Sequence, residues 1–219
     1  MSAPDAAKPG QFITLEGSEG VGKSTNMAAV CDALEAHGID YVRSREPGGT
    51  GFAEALREVL LAQRNEEVDG LSELLVVFAA RKQHLEQVIK PALKRGQWVV
   101  CDRFTDATYA YQGGARGQAP AQIATLEEWV QEGLQPALTI YLDLPPELGR
   151  ARIADREHDR MERENLAFFE AVRAAYLDRA GQFPRFRVID AAPPLAEVRA
   201  AVHACVDKFV ANVRAESGR

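Results

Sequence analysis

One eight-residue string constrains this chain more than any other. Gly17-Ser18-Glu19-Gly20-Val21-Gly22-Lys23-Ser24 matches the pattern G-x-x-x-x-G-K-[ST]. It follows the apolar run Phe12-Ile13-Thr14-Leu15. It opens a stretch, Ser24 to Ala36, in which Met27, Val30, Cys31 and Leu34 share one helical face and Gly38 marks the stop. Strand, glycine-rich turn and helix in that order form a cradle for phosphate. The glycines let successive backbone N–H groups turn inward around phosphate oxygens, and the helix N-terminus adds positive potential. Gly17 through Thr25 are therefore expected to hold a nucleotide. Lys23 is expected to reach its β- and γ-phosphates and the Ser24 hydroxyl to meet Mg²⁺. The string names no reaction. Glu19 is unusual within it, because a carboxylate beside phosphates is repelled unless it contacts a metal or a hydroxyl.

Beyond this loop, short apolar runs alternate with helical patterns. Tyr41–Arg43, Trp98–Cys101, Leu138–Leu142 and Arg187–Ile189 read as strands. Ala53–Leu61, Leu71–Lys94 (bent near Pro91), Ala121–Leu134, Leu166–Phe183 and Leu195–Ala215 read as helices, and Glu147–Glu164 as a charged helix and loop. Strands separated by helices need parallel crossovers, and apolar runs without alternation fit strands buried on both faces. The expected architecture is an α/β fold of the P-loop NTPase type: a doubly wound, parallel, five-stranded sheet flanked by helices. Ligands in such sheets sit at the carboxyl ends of the strands.

Composition excludes several classes. Hydrophobic residues make up 46% and charged residues 26%, which rules out wholesale disorder. A net charge of −6 argues against a nucleic-acid partner held by counterion release. No apolar run approaches the ~18 residues of a membrane span, and residues 1–10 lack the apolar stretch of a secretory signal. They read as a disordered tail before one domain over 11–219. Cys31, Cys101 and Cys205 are too few and too far apart for a disulfide framework or a metal motif, as expected of a cytoplasmic chain.

Further strings follow the other strands. Arg45-Glu46-Pro47-Gly48-Gly49-Thr50 comes after the second, and Asp102-Arg103-Phe104 after the third. Thr108-Tyr109-Ala110-Tyr111-Gln112-Gly113-Gly114 comes soon after that. Phe78-Ala79-Ala80-Arg81 lies on the long helix, and Asp159-Arg160-Met161-Glu162 closes the charged segment. On these strings the chain resembles the thymidylate kinases, nucleoside-monophosphate kinases built on a phosphate loop. The likeness runs over nearly the whole chain after the tail.

The resemblance implies the reaction ATP + dTMP → ADP + dTDP with Mg²⁺, and a homodimer. It implies that Arg103 holds the acceptor phosphate, a task that suits a guanidinium fork. Asp102 would help place Mg²⁺ through water. Arg45 would approach the acceptor phosphate, Glu46 would support that loop or the metal, and Pro47 would lie in the same substrate loop. Glu19 would hold the 3′-hydroxyl. Arg81, Thr108 and Gln112 would read the base, with Arg81 donating to O4 and Gln112 pairing with N3–H and a ring carbonyl. Tyr111 would sit at C2′ of the sugar.

Many relatives carry the aromatic that stacks on thymine four residues before the arginine. That position is Val77 here, so Phe78 is expected to take over the stacking, or Val77 to cover the base by apolar contact. The segment 150–163 is expected to be a short lid. Glu19 is followed by Gly20, which puts the chain among members that draw a catalytic arginine from the lid, with Arg152 and Arg156 as candidates. Asp159 and Glu162 would lie near the sugar and the phosphate loop. The adenine of ATP is expected between the lid helix and Asp190–Pro193. Two competing readings remain: a kinase for another nucleoside monophosphate, or a regulatory ATPase, for which no water-positioning residue is evident.

Overall fold

A computed structural model describes residues 9–155 and 159–217. Its centre is a parallel sheet of five strands: β1 (Phe12–Glu16), β2 (Tyr41–Arg45), β3 (Trp98–Asp102), β4 (Leu138–Asp143) and β5 (Phe186–Asp190). Their spatial order is β2-β3-β1-β4-β5. β1 lies in the middle, with Thr14 in register with Cys101 on one side and Thr139 on the other. It is buried along its whole length, which explains why its sequence shows no polar alternation.

Alternate β1 residues feed different cores. Ile13 and Leu15 pack with Val100, Ile140 and Leu142 beneath α1 (Lys23–Ala36) and the C-terminal helix α9 (Leu195–Ser217). Phe12 points to the opposite face, with Val99, Cys101, Leu85 and Ile89. Two helix starts near the site have side-chain caps. Thr50 caps α2 (Gly51–Leu61) by accepting from Ala53 N at 3.1 Å, and Asp69 caps α3 (Gly70–His84) by accepting from Ser72 N at 3.0 Å.

The long helix expected over 71–94 is not uniform. After α3 the chain widens into a π-helical turn, Leu85–Ile89, before α4 (Lys90–Lys94). The change of pitch precedes Pro91, whose ring crowds the carbonyl four residues earlier. A second π-helical segment, Tyr109–Ala115, continues the short α5 (Thr105–Thr108) and holds Tyr111 and Gln112. α6 spans Pro120–Gln131, α7 Pro146–Arg152 and α8 Leu166–Gln182. The charged helix expected from Glu147 is therefore short, and residues 159–164 form turns. Of the expected tail, residues 1–8 lie outside the described residues; Gly10 N already donates to Leu93 O at 2.9 Å. No described helix is long and apolar enough to cross a membrane.

The loops after β1, β2 and β3 leave the same edge of the sheet, and these three strands are neighbours. That adjacency brings Glu19, Glu46 and Arg103 around one cavity.

Candidate active site

The phosphate loop takes the shape its glycines permit. Gly20 (φ 74°) and Gly22 (φ 82°) lie in the left-handed region. A Cβ at Gly20 would fall 2.1 Å from the Gly149 carbonyl, so α7 packs directly on the loop. α1 begins with no side-chain cap, which leaves the loop's N–H groups for an anion. Lys23 Nζ donates to Gly17 O (3.1 Å) and Ser18 O (3.0 Å), folded along the loop. Burial, then the nearby Arg103 charge, lowers the Lys23 pKa. Ser24 is exposed at the helix start. Beside Lys23 and Arg103, Asp102 Oδ1 is buried with no hydrogen-bond partner among the described residues.

Arg103 joins the loop to the cavity. Its backbone is left-handed (φ 67°), a strained state for a residue with a Cβ. Two bonds clamp it: Arg103 N donates to Leu15 O at 3.0 Å, and the next amide, Phe104 N, donates to Glu16 Oε1 at 2.8 Å. The side chain then reaches Glu19 Oε1 (2.6 Å), Tyr111 Oη (2.9 Å) and Gly17 O (3.2 Å). Tyr111 Oη in turn donates to Glu19 Oε1 at 3.1 Å. Burial alone would raise the Glu19 pKa, but the Arg103 and Lys23 charges outweigh it and hold the carboxyl at about 2. Glu16 differs. It is fully buried, bonded by Tyr176 Oη at 2.8 Å, and burial followed by the Asp106 charge pushes it up to about 8.

The cavity opens beside this cluster. Glu19, Arg103, Tyr111, Thr108 and Gln112 border it, as do Glu46 and Pro47 from the loop after β2. Asp159 and Glu162 close one side. Asp159 Oδ1 accepts from the amides of Met161 (2.8 Å) and Glu162 (2.9 Å), and Asp159 N donates to Glu162 Oε2 (3.2 Å). Arg81 does not border the cavity; it is 2% exposed and lies behind Glu46 and Thr108, which do. Its Nε donates to Glu46 Oε2 (2.7 Å) and its Nη2 to Thr108 Oγ1 (2.9 Å). Its Nη1 is buried without a partner among the described residues. His84 supports Glu46 from behind, with Nδ1 at 3.0 Å from Glu46 Oε1 and Nε2 at 2.6 Å from Ser44 Oγ. Gly49 (φ 85°) passes so close that a Cβ there would lie 2.6 Å from the His84 ring.

Three expectations meet a different geometry. Phe78 does not border the cavity; its ring packs with Leu74 and Ile123 and lies under the Arg81 guanidinium at 4.8 Å, while Val77 faces the open space. A helix turns 100° per residue, so adjacent positions cannot share one target. Arg45 points away, bonded to Glu54 Oε2 at 2.7 Å on the exposed side of α2. Arg57, one turn further along α2, borders the cavity instead, with Nη1 on Pro47 O at 3.1 Å. Arg152 donates to the Ala191 (2.9 Å) and Ala192 (3.2 Å) carbonyls. It borders a hollow formed by Gly20, Thr25 and Pro193, beside the loop rather than over the cavity. Arg156 lies outside the described residues.

Sequence reasoning passed over Glu16, Arg57, Glu73, His84 and Arg160. Each reads as an ordinary charged or polar residue, and only Arg160 sits in a quoted string. Arg160 bonds Leu60 O (2.9 Å) and Glu73 Oε2 (2.6 Å), fastening the turn 159–164 to α2 and α3.

Comparison with known proteins agrees with this geometry. The thymidylate kinase family model matches residues 15–202. The thymidylate kinase of Chromohalobacter salexigens is 59% identical over 208 residues, 93% of this chain and 98% of that protein. Those of Pseudomonas putida and Methylococcus capsulatus are 56% and 55% identical, over 94% and 93% of this chain and 99% and 98% of their own. Phosphate loop, adjoining cavity and sequence likeness coincide, and the chain belongs to the thymidylate kinase family.

Proposed function

We propose that the protein transfers the γ-phosphoryl group of ATP to dTMP, giving dTDP and ADP. The observation that carries this reading is Arg103, whose one side chain touches both the phosphate loop and the cavity. A phosphate bound between Arg103 and Arg57 would face the end of the loop where a γ-phosphate ends. Its oxygen is already a nucleophile, so attack needs no strong base. Positioning and charge neutralisation carry the catalysis.

Lys23 would leave the Gly17 and Ser18 carbonyls to meet the β- and γ-phosphates. Ser24 and Asp102 would hold Mg²⁺, the latter through water. The exposed hydroxyl at the start of α1 and the unpartnered buried Oδ1 of Asp102 suit an ion that keeps most of its waters. When bound, Mg²⁺ neutralises charge on the phosphate oxygens. Glu19, ionised beside Arg103, is suited to accept from the 3′-hydroxyl, and Tyr111 would close the space at C2′. The free Nη1 of Arg81 would donate to O4, with Thr108 and Gln112 completing the base contacts and Val77 covering the ring. The adenine would sit in the hollow between Arg152 and Ala191–Pro193. Arg152 would then serve ATP binding, leaving Arg156 as the lid arginine for the transferring group. We read residues 11–219 as one kinase domain with a lid at 150–163. It would act in the cytoplasm, where Cys31, Cys101 and Cys205 stay free thiols, and as a homodimer.

A coupled ADP-release assay with ATP and Mg²⁺ tests this, comparing dTMP with dUMP, dCMP, dGMP and dAMP. Turnover led by dTMP is the expected result. Turnover led by another monophosphate would overturn the base assignments, and ATP consumption without acceptor would overturn the kinase reading.

A further inference from the structure

We propose that Glu73, which lies outside the cavity, fixes the orientation of the Gln112 amide and thereby selects a base with a proton on N3. The proposal deepens the thymidylate kinase reading and rests on it. Glu73 sits in the first turn of α3 and is 1% exposed. Its Oε1 accepts from Gln112 Nε2 at 2.9 Å and lies 3.5 Å from Arg116 Nε. Its Oε2 accepts from Arg160 Nη2 at 2.6 Å. A carboxylate flanked by two guanidinium groups has no proton to give and only accepts.

The amide of Gln112 therefore has one allowed orientation. Turned over, its carbonyl oxygen would face the carboxylate, both buried and neither supplied with a proton. With Nε2 committed to Glu73, Oε1 is the atom at the far end of the planar amide. Gln112 borders the cavity and Glu73 does not, so Oε1 is the acceptor presented to a bound base. A 2,4-dioxopyrimidine meets that acceptor with its N3–H. A 4-aminopyrimidine has a bare lone pair at N3, and acceptor would meet acceptor. The second Nε2 proton remains for a flanking ring carbonyl. Glu73 is thus a positioning residue for base choice, set behind the residue that makes the contact.

The variant Glu73→Gln keeps the shape and can give or take a hydrogen bond, so Gln112 becomes free to turn over. Arg160→Ala serves as the contrast, because it loosens the turn 159–164 and leaves the acceptor at Glu73 in place. We expect Glu73→Gln to shrink the preference for dTMP over dCMP, as the ratio of kcat/KM, by about tenfold or more, chiefly through KM. Arg160→Ala should lower both substrates by a common factor. Where dCMP turns over too slowly, its inhibition constant against dTMP gives the same ratio. A preference in Glu73→Gln within about twofold of the unaltered enzyme would overturn the proposal, as would an equal loss of preference in Arg160→Ala. Should Glu73→Gln fail to fold, the unaltered protein decides by NMR. The Gln112 side-chain amide protons should stay protected from solvent exchange with dTMP bound, and rapid exchange overturns the assignment. Failure of the unaltered enzyme to use dTMP would refute the functional reading instead, so the two failures are separable.

Discussion

Glu19 and Arg103 hold each other at 2.6 Å across the boundary between phosphate loop and cavity. The pair is only 15–19% exposed and Tyr111 completes it. Arg103 is the one cation that touches the loop backbone and the cavity together among the described residues. Arg103→Ala should therefore lose at least ~2 kcal/mol of transition-state stabilisation, about 30-fold in kcat/KM for dTMP. Steady-state kinetics on the folded variant checks this, and near-normal turnover would refute the role. The same pair has a stability signature. Glu19 titrates at about 2 in the fold, below its ordinary 4.5, so its contribution is fully present above pH 4.5 and is lost as pH falls toward 2. Arg103→Ala should flatten that part of the acid unfolding curve.

Glu16 should give a slope of the opposite sign. Burial and the Asp106 charge raise it from 4.5 to about 8, while Arg103, Tyr176 and the Phe104 amide act against the rise. Between these values the folded protein holds a proton that the unfolded chain has lost. Its contribution to stability is full below pH 4.5 and is lost as pH rises through 8. Urea unfolding at pH 5 and pH 8.5 should show a decrease of order 1 kcal/mol or more from this group. Glu16→Gln, which carries no titratable proton, should remove that decrease. An equal decrease in the variant would refute the assignment.

Val77 and Phe78 are neighbours with different expected phenotypes. Phe78 fills core space with Leu74 and Ile123, so Phe78→Ala should cost roughly 3–5 kcal/mol of stability, read as a lowered urea midpoint. Val77 faces the cavity at its edge. Val77→Ala should leave the midpoint within about 1–2 kcal/mol and raise KM for dTMP several-fold. Reversal of the two phenotypes would restore Phe78 as the residue over the base.

The outcome at these two positions shows where sequence reading reaches. The sheet was legible because β1, β3 and β4 are buried on both faces and need unbroken apolar runs. The phosphate loop was legible because Gly20 and Gly22 adopt backbone angles that side chains disfavour. The cavity's polar wall was legible through local strings at strand ends, which carried Glu46, Arg103 and Gln112. What stayed hidden depends on side-chain direction or on distant pairing. One residue of helical offset separates Val77 from Phe78, and only packing of α3 chooses between them. Glu73 and Arg160 are 87 positions apart and give no local signal of their contact. Glu16 ends an apolar strand, and only the fold reveals Tyr176 and the Phe104 amide against it.

Arg45 and Arg57 provide the remaining comparison, because Arg45 ends β2, Arg57 lies on α2 just after it, and only Arg57 borders the cavity. Arg45 is tied to Glu54, and its side chain is 53% exposed. An ion pair so open to water contributes ~1 kcal/mol at most. Arg57 lies on the cavity wall, where burial and then the Arg45 and Arg103 charges lower its pKa. Two guanidinium groups that repel each other gain most when a phosphate dianion lies between them. Arg57→Ala should therefore raise KM for dTMP about tenfold or more with little change in KM for ATP, whereas Arg45→Ala should change either by about twofold at most. Arg57→Lys should recover only part of the loss, since a point charge cannot replace the two-pronged contact. The measurement is a pair of saturation curves, one for each substrate, on the three variants. A larger effect from Arg45 than from Arg57 would move the acceptor phosphate to the other side of the loop after β2.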